Sequence, residues 1–360
     1  MSDQRPACLV TGAVSDYRRE PFRVLAREED VEVIAWQEAG PPVAGLTVHR
    51  TTQAGAVRLA ASGRYRAVIC SLGGRLALPG CYAAARARKI GFVLWTGVWE
   101  HPRTPAHLLS RLPTTHLYRD ADAVATYGEH VSRHVERERG SRGHVYVAPQ
   151  AVDTEHFGAT VSSEDRERAR RRAGAEGADV LALYVGRLED EKGVRVLLEA
   201  WRDAALGPGA RLALAGTGPL SREAEAAGEG VRALGYLARS ELPALYAAAD
   251  FLVLPSVRTA TFTEPWGLVV NEAMLQRNPV ITSDAVGAAA GGLVRDGRTG
   301  LIFSAGDAQA LGARISALAG APELRERLGV AARDDAARLT PAAWAAGMAQ
   351  ALAAAEGSDC

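Results

Sequence analysis

Residues 180–194, VLALYVGRLEDEKGV, contain the pattern on which the fold prediction rests. The apolar run 180–185 is typical of a strand that is buried on both faces, and Gly186 permits a tight turn after it. A polar loop follows and leads into a helical pattern. Strand, loop and helix in this order form the repeating unit of doubly wound α/β domains.

The same alternation of strand and helix extends along most of the chain. In the first half, buried strands are predicted at residues 7–11, 31–36, 67–71, 92–96, 123–126 and 145–147. In the second half they are predicted at residues 180–185, 211–215, 231–234, 251–254, 280–282 and 301–303. Helical patterns separate most of these strands, for example at residues 21–29, 79–89 and 129–139. Near-continuous apolar strands that alternate with helices imply parallel sheets covered on both faces.

The alternation lapses around residues 150–178, which divides the chain into two candidate domains. Within this stretch, residues 162–172 (SSEDRERARRR) are predicted to form a solvated helix with a serine N-cap. We therefore expect two doubly wound parallel-sheet, Rossmann-like domains, residues 1–160 and 161–340, that face each other across a cleft. Ligands of open sheets bind beyond the carboxyl ends of the strands, so the cleft is the expected site. Residues 341–360 are expected to form a helix that packs back on the first domain.

The composition is that of a globular protein and excludes several classes. The 360 residues are 48% hydrophobic and 23% charged, and 42 basic residues balance 42 acidic ones. Zero net charge provides no electrostatic attraction for nucleic acid. No apolar run approaches the ~18 residues of a membrane-spanning helix, and the first residues lack the apolar core of a signal peptide. We expect a soluble, cytoplasmic protein with reduced cysteines, and peripheral membrane contact stays open.

Two phosphate-binding fingerprints of α/β proteins are absent from the sequence. The first strand continues into residues 11–16, TGAVSD, without G-x-G-x-x-G, and residues 216–219, GTGP, lack the third glycine. The loop at residues 186–193, GRLEDEKG, has its lysine at the wrong spacing for a Walker loop. A dinucleotide-dependent dehydrogenase and a P-loop ATPase are therefore excluded.

The loop after the strand at residues 180–185 contains two cations that suit an anion. Arg187 can bind a phosphate through two parallel N–H bonds, and Lys192 adds a point charge. The alternative is an ordinary surface loop, whose cations pair with the acidic residues Glu189, Asp190 and Glu191.

The strongest signal is at residues 262–274, FTEPWGLVVNEAM. Pro265 is typical of the first turn of a helix, and Gly267 lets a ligand approach the backbone, whose free N–H groups would face an anion. Glu264 precedes this helix, and Glu272 lies about six residues into it, or ~9 Å along the axis. A sugar, a diphosphate and a ribose in a row would contact both carboxylates. The alternative is a narrow polar face on an otherwise apolar helix.

Together these motifs resemble the C-terminal domain of retaining GT-B glycosyltransferases of family GT4, over roughly residues 178–335. They occur in the order of the family, at residues 186–193 (GRLEDEKG), 235–237 (GYL), 255–256 (PS), 264–274 (EPWGLVVNEAM), 279–281 (PVI) and 296–303 (DGRTGLIF). The N-terminal half matches more weakly, through strand order and residues 147–153 (VAPQAVD).

The resemblance implies an enzyme that transfers a sugar from a nucleoside-diphosphate sugar to a hydroxyl of a sugar, natural product or glycan. Arg187 and Lys192 would hold the diphosphate and stabilise it as it departs. Glu264 would bind the transferred sugar near its 3-position. Many members have a histidine near this sugar, and His101 is the nearest candidate, although it is displaced by several residues. The alternative for His101 is a surface position.

The resemblance also implies how the rest of the donor is bound. Glu272 would bind the ribose hydroxyls. Tyr236 and Leu237 would line the nucleobase pocket. The backbone of three residues would contact the phosphates and the sugar: Gly267, Leu268 and Val269.

No metal ion and no cofactor beyond the donor, which is a co-substrate, are implied. Asp120 and Asp122 resemble the D-x-D metal site of the other large glycosyltransferase fold, but they precede a buried strand. We expect them to cap a helix instead.

The N-terminal domain is expected to bind the acceptor through its loops, including residues 17–20 (YRRE) and 95–107. Trp95 and Trp99 could stack on sugar rings or be buried in the core. Two other functions stay open on the sequence. One is a nucleotide-sugar epimerase or hydrolase of the same fold, and the other is a non-catalytic protein that binds sugar nucleotides.

Overall fold

Two compact units make up the chain, and each contains one parallel β-sheet. The computed structural model describes residues 5–37, 41–101, 104–177 and 180–357, without the side chains of residues 105–110. Unit 1 comprises Met1–Asp153 and Thr340–Cys360, and unit 2 comprises Thr154–Leu339. The predicted fold class, two doubly wound parallel-sheet α/β domains, is confirmed.

The sheet of unit 1 has seven strands in the spatial order β3-β2-β1-β4-β5-β6-β7. Their bounds are β1 (Ala7–Thr11), β2 (Val31–Ala35), β3 (Val48–Arg50), β4 (Ala67–Ser71), β5 (Gly91–Thr96), β6 (Ala123–Thr126) and β7 (Val145–Val147). All neighbouring strands are parallel. Only β3 was not predicted, because this partly exposed V-H-R strand contains no apolar run.

Helices connect these strands on both faces of the sheet. They are α1 (Asp16–Glu29), α2 (Gln53–Ala60), α3 (Ala77–Arg88), α4 (Pro105–Asp120) and α5 (Glu129–Arg139). Helix α1 begins at Asp16 and not at Pro21, which lies inside the helix. A proline usually stands in the first turn because it lacks the N–H that later turns require. The longer helix places Tyr17 and Arg18 in its first turn, directly after β1.

The two aspartates of the D-x-D sequence bind side chains of α3 and the backbone at the start of β5, so the predicted helix capping is wrong. Asp122 accepts the Phe92 backbone N–H at 2.8 Å and pairs with Arg86, also at 2.8 Å. Asp120 pairs with Arg86 at 3.0 Å and accepts the Tyr82 hydroxyl at 2.6 Å. Within the described ranges, no cluster of three or more His, Cys, Asp or Glu side chains has the arrangement of a metal site.

The sheet of unit 2 has six strands in the order β10-β9-β8-β11-β12-β13. Their bounds are β8 (Val180–Val185), β9 (Ala210–Ala215), β10 (Val231–Gly235), β11 (Phe251–Leu254), β12 (Val280–Ser283) and β13 (Gly300–Phe303). All six were predicted to within one residue at each end. The strand order reverses between β8 and β11 here, and between β1 and β4 in unit 1. In doubly wound sheets, such a switch point is where ligands bind, beyond the carboxyl ends of the strands.

Nine helices of the described chain cover the unit 2 sheet and its loops. They are α6 (Thr154–Gly158), α7 (Ser163–Arg172), α8 (Val194–Ala204), α9 (Ser221–Glu225), α10 (Leu242–Ala248), α11 (Leu268–Leu275), α12 (Gly287–Ala290), α13 (Ala308–Ala319) and α14 (Pro322–Ala336). The predicted serine cap is present, because the Ser162 side chain accepts the Asp165 N–H at the start of α7.

The last helix, α15 (Pro341–Glu356), returns to unit 1 and packs against α1 and strands β4 to β7. Its Trp344 ring lies 5.5 Å from the rings of Phe22 and Trp95, centroid to centroid. Trp95 is 2% exposed, so it belongs to the core and the proposed stacking of its ring on a sugar is wrong. No helix of the described residues is both long enough and apolar enough to cross a membrane.

Candidate functional site

The loops after β8 and β11 are in contact at the carboxyl edge of the unit 2 sheet. The Val257 N–H donates to the Glu191 carbonyl across the two loops at 3.0 Å. Gly193 has φ 72°, and a Cβ on it would lie 2.0 Å from the carbonyl oxygen of Pro255. Only glycine combines this left-handed backbone with so close an approach. The contact fixes Lys192, the preceding residue, beside the segment that follows β11.

Lys192 and Glu264 form a shielded ion pair at this switch point. The Lys192 Nζ lies 2.5 Å from Oε2 of Glu264 and 4.6 Å from the centroid of the Phe262 ring. The Ser256 hydroxyl donates to the same carboxylate oxygen at 3.1 Å. The two charged side chains are 14% and 10% exposed, so solvent screens their attraction little. The structure thus brings two predicted site residues together and adds Ser256 and Phe262, for which the sequence indicates no role.

Arg187 lies in the same loop but does not join this pair. Its guanidinium is bound by Glu189 at 2.6 Å and by Glu191 at 3.0 Å, and the side chain is 59% exposed. This is the surface-loop arrangement that the sequence left open for Arg187, whereas Lys192 departs from it. Exposed ion pairs contribute only about 0–1 kcal/mol, so Arg187 can exchange these partners for an anion at small cost.

Helix α11 begins at Leu268, and the predicted start at Pro265 is wrong. Glu264 forms an isolated parallel bridge with Val286, which holds residue 264 in an extended conformation. Gly267 then has φ 92° and is the N-cap. A Cβ on Gly267 would meet a Leu254 methyl at 2.6 Å, so another residue would have to displace this side chain as well as adopt the left-handed conformation. Because of the bridge and the left-handed glycine, the helix begins three residues after Pro265.

The first turn of α11 offers backbone donors at the carboxyl edge. Gly267, Leu268 and Val269 are partly exposed, as binding through the backbone requires. The first N–H groups of a helix have no acceptor within it, and the helix dipole favours negative charge at this end. The shift of the helix start therefore keeps the three predicted backbone positions at the N-terminus.

Glu272 lies in the interior of α11, apart from the Lys192–Glu264 pair. Its Oε2 accepts the Tyr246 hydroxyl at 2.7 Å, and the residue is 9% exposed. Burial raises the pKa of Glu272 to about 7, although the Tyr246 hydrogen bond and the charge of Arg239 act in the opposite direction. Its carboxyl therefore titrates near neutral pH, and the interaction with Tyr246 was not foreseen.

The two residues predicted to line the nucleobase pocket have different surroundings. Tyr236 is 77% exposed at the end of β10, whereas Leu237 is 7% exposed. Leu237 lines a cavity of about 490 Å³ whose walls also include residues of α7 and α10, and Tyr236 is not among its lining residues.

His101 follows β5 and belongs to unit 1, whereas the other predicted site residues are in unit 2. The ring is half-buried and contacts His134 edge-on, with centroids 6.2 Å apart. Trp99 is also half-buried and meets the ring of His130 at 5.4 Å. The predicted acceptor loop of residues 95–107 lies only partly within the described residues, because residues 102–103 and the side chains of 105–107 are outside them.

Comparison with known sequences finds a family match in the second half of the chain. Residues 165–335 match the model of the family described as glycosyl transferases group 1. Sulfoquinovosyl transferase SQD2 of Arabidopsis thaliana is 34% identical over 194 residues, 52% of this chain and 35% of that protein. Alpha-D-kanosaminyltransferase of Streptomyces kanamyceticus is 28% identical over 244 residues, 61% of each protein. The chain thus spans between about a third and three-fifths of the length of these curated relatives.

A solved structure extends the similarity to nearly the whole chain. Anabaena Alr3699/HepE, in complex with UDP and glucose, superposes with a TM-score of 0.78 and 19% identity, over 97% of this chain and 100% of that one. At this identity the match establishes the fold alone, which is the fold of GT-B glycosyltransferases. The resemblance found in the sequence is confirmed: the chain has the GT-B fold, and its residues 165–335 match the model of the glycosyl transferases group 1 family.

Proposed function

We propose that the chain is a GT4-type enzyme that transfers a sugar from a nucleoside-diphosphate sugar to an acceptor hydroxyl, with retention at the anomeric carbon. The main support is the Lys192–Glu264 pair, which lies at the unit 2 switch point within the region that matches the family. The names of both relatives denote sugar transfer, and the Anabaena structure contains UDP and glucose.

The proposed reaction places negative charge on the departing diphosphate. Groups that are already oriented toward this charge lower the barrier. The Lys192 ammonium has three N–H donors, and Glu264 needs only one of them at 2.5 Å. Arg187 can leave Glu189 and Glu191 for phosphate oxygens, and the first turn of α11 supplies backbone N–H groups. The diphosphate can therefore leave without a strong acid or base.

The two glutamates would bind the two ends of the donor. Lys192 and the Ser256 hydroxyl fix the Glu264 carboxylate, which accepts hydrogen bonds from hydroxyls of the transferred sugar. Glu272 would accept the ribose hydroxyls in the same way. The exposed ring of Tyr236 is available to stack on the nucleobase.

The proposal extends to unit 1 and to the conditions of the reaction. Unit 1 would bind the acceptor, and attack from the face that the diphosphate leaves would retain the anomeric configuration. His101 is kept as a candidate contact of the sugar.

Because Lys192 and Arg187 supply the positive charge, transfer is expected to need no metal ion. Cys8, Cys70 and Cys81 are buried free thiols, which is typical of a reducing compartment such as the cytoplasm.

A thermal-shift screen of nucleotide sugars, starting with UDP-glucose, tests the proposal. A donor that binds only the folded chain raises its melting temperature. With an acceptor panel, nucleoside diphosphate should be released only when an acceptor is present, in buffer with or without EDTA, and NMR of the product should show a retained anomer. Absence of any shift across the panel would contradict the proposal, as would donor hydrolysis or epimerisation without an acceptor.

A further inference from the structure

An arginine at the carboxyl edge of the unit 1 sheet is surrounded by aromatic rings. Arg18 lies in the first turn of α1, beside the switch point between β1 and β4. Its guanidinium carbon is 4.1 Å from the centroid of the Trp95 ring, 5.2 Å from that of Tyr17 and 5.8 Å from that of Tyr127. Trp95 lies at the end of β5, Tyr127 directly follows β6, and Tyr17 precedes Arg18 in the first turn of α1, so the rings hold the cation at the edge where ligands of this fold bind.

The hydrogen bonds of Arg18 go to neutral oxygens. Its Nη2 donates to the Tyr127 hydroxyl at 2.6 Å, and its Nε donates to the Tyr17 hydroxyl at 3.3 Å. Among the described residues, no carboxylate forms an ion pair with Arg18. A guanidinium has five N–H donors, so most of them are left for a ligand.

Neighbouring arginines of unit 1 are bound to carboxylates. On the same helix, Arg19 pairs with Asp16 at 3.0 Å and Arg23 pairs with Glu20 at 2.5 Å. Elsewhere in the unit, Arg86 pairs with Asp122 at 2.8 Å. The rings and hydroxyls that compensate the burial of Arg18 carry no formal charge, so the site retains a positive charge that an anionic ligand can neutralise. Arg18 is thus oriented by its neighbours but not neutralised by them.

We infer that Arg18 binds an anionic oxygen group, such as a phosphate, sulfonate or carboxylate, on the acceptor. The assignment to the acceptor rests on the proposed function, in which the residues that bind the donor diphosphate are all in unit 2. The planar guanidinium can bind two oxygens of such a group at once, and the negative charge of the group, which a neutral sugar lacks, strengthens both hydrogen bonds. The acceptor class is then an anionic sugar or sugar-like compound.

Binding to the full chain tests the site without any turnover. Glucose 6-phosphate and glucose are titrated calorimetrically into the wild type, Arg18→Gln, Arg18→Lys and the matched control Arg23→Gln. We expect the phosphorylated sugar to bind the wild type and Arg23→Gln equally, and Arg18→Gln roughly tenfold to a hundredfold more weakly, with Arg18→Lys in between. Lys192→Gln should keep this binding. No binding to the wild type, or loss in Lys192→Gln but not in Arg18→Gln, would overturn the inference.

Two further measurements separate binding by Arg18 from a structural role. Tyr127→Phe leaves the charge but removes the hydrogen bond at 2.6 Å, and we expect a smaller loss of affinity than in Arg18→Gln. Thermal unfolding of each variant shows whether the fold persists. Equal loss of affinity for glucose 6-phosphate in Arg23→Gln, or loss that follows the melting temperature alone, would overturn the inference.

A transfer assay with the same sugar pair separates this inference from the proposed function. Arg18→Gln should raise the KM for the phosphorylated acceptor much more than the KM for the neutral acceptor. A rise in the KM of the donor instead would place the anion on the nucleotide and overturn the inference. If no donor is consumed with any acceptor, the proposed function fails, and the calorimetric result alone decides whether Arg18 binds an anion.

Discussion

The carboxyl edges of the two sheets have the same topology but different charge. Each strand order reverses beside the first strand of its unit, between β1 and β4 and between β8 and β11. The edge of unit 2 contains the shielded Lys192–Glu264 ion pair, whereas the edge of unit 1 contains Arg18 among aromatic rings. Topology therefore determines where a ligand lies in each unit, and a few side chains determine which chemical groups it can present there.

The largest effect is expected from breaking the unit 2 pair. Lys192→Met should lower kcat by roughly 10²–10³-fold, because it removes the cation proposed to stabilise the leaving diphosphate. Glu264→Gln should also lower kcat, and the double variant should lose less than the two losses combined, since the residues act together. Steady-state release of nucleoside diphosphate measures this, with thermal unfolding as the control for folding. Wild-type activity in both single variants would show that the pair is structural.

Replacing one glycine in each unit by alanine should destabilise the two units to different extents. Gly193 and Gly140 have nearly the same φ, 72° and 73°. A Cβ on Gly193 would collide with the Pro255 carbonyl, whereas a Cβ on Gly140 would have no atom within 4 Å. Gly140→Ala should lower the free energy of unfolding by about 1–2 kcal/mol, the cost of the left-handed conformation. Gly193→Ala should lower it by about 1–3 kcal/mol more, because the carbonyl must move. Equal losses in urea unfolding would contradict the close approach of the two loops.

The pH dependence of unit 2 should follow Glu272. Its carboxyl has a pKa of 4.5 when unfolded and about 7 when folded, so the native state holds an extra proton between these values. Stability from this group is therefore present below pH 4.5 and falls as the pH rises to about 7, by up to about 3 kcal/mol.

Glu272→Gln should remove this pH-dependent loss of stability. The variant should therefore gain more free energy of unfolding, relative to the wild type, at pH 8 than at pH 5. Hydrogen exchange of α11 measures the local effect. UDP-glucose, which has no phosphate group that titrates near neutral pH, should bind the wild type more tightly at pH 8 than at pH 6, because the carboxylate is the better acceptor. The same pH dependence of binding in Glu272→Gln would exclude Glu272 as its source.

The smallest change in stability is expected at the exposed arginines beside the proposed donor site. Arg187→Gln and Arg195→Gln each remove surface ion pairs, from side chains that are 59% and 55% exposed. Both should change the free energy of unfolding by less than about 1 kcal/mol. Only Arg187→Gln should weaken binding of UDP-glucose, which the ligand-induced rise in melting temperature would show. The same weakening in Arg195→Gln would point to a general charge effect and not to a phosphate contact of Arg187.

The sequence predicted the strands well because each buried strand is a short, nearly unbroken apolar run. The prediction failed where the local apolar pattern is weak or where a contact with a distant residue determines the start of an element. The edge strand β3 contains His49 and Arg50 and gives no apolar run. The start of α11 depends on the bridge between Glu264 and Val286, which are far apart in the sequence.

The sequence predicted which residues belong to the candidate site, but it did not predict the contacts between them. Motifs singled out Lys192, Glu264 and Glu272, but no motif pairs Lys192 with Glu264 or Tyr246 with Glu272. These contacts depend on the approach of two loops at Gly193 and on the packing of α10 against α11. Arg18 was noted only within an acceptor loop, since its significance comes from the absence of a carboxylate partner among the described residues.

Helix α15 has a consequence for the order of events during synthesis. Trp344, Met348 and Leu352 complete the core of unit 1, although the sheet they cover ends with β7 at Val147. All of unit 2 is translated between these two parts. A ribosome therefore releases the whole of unit 2 while unit 1 still exposes an apolar face, and unit 1 reaches its final packing only after residues 341–356 have left the exit tunnel.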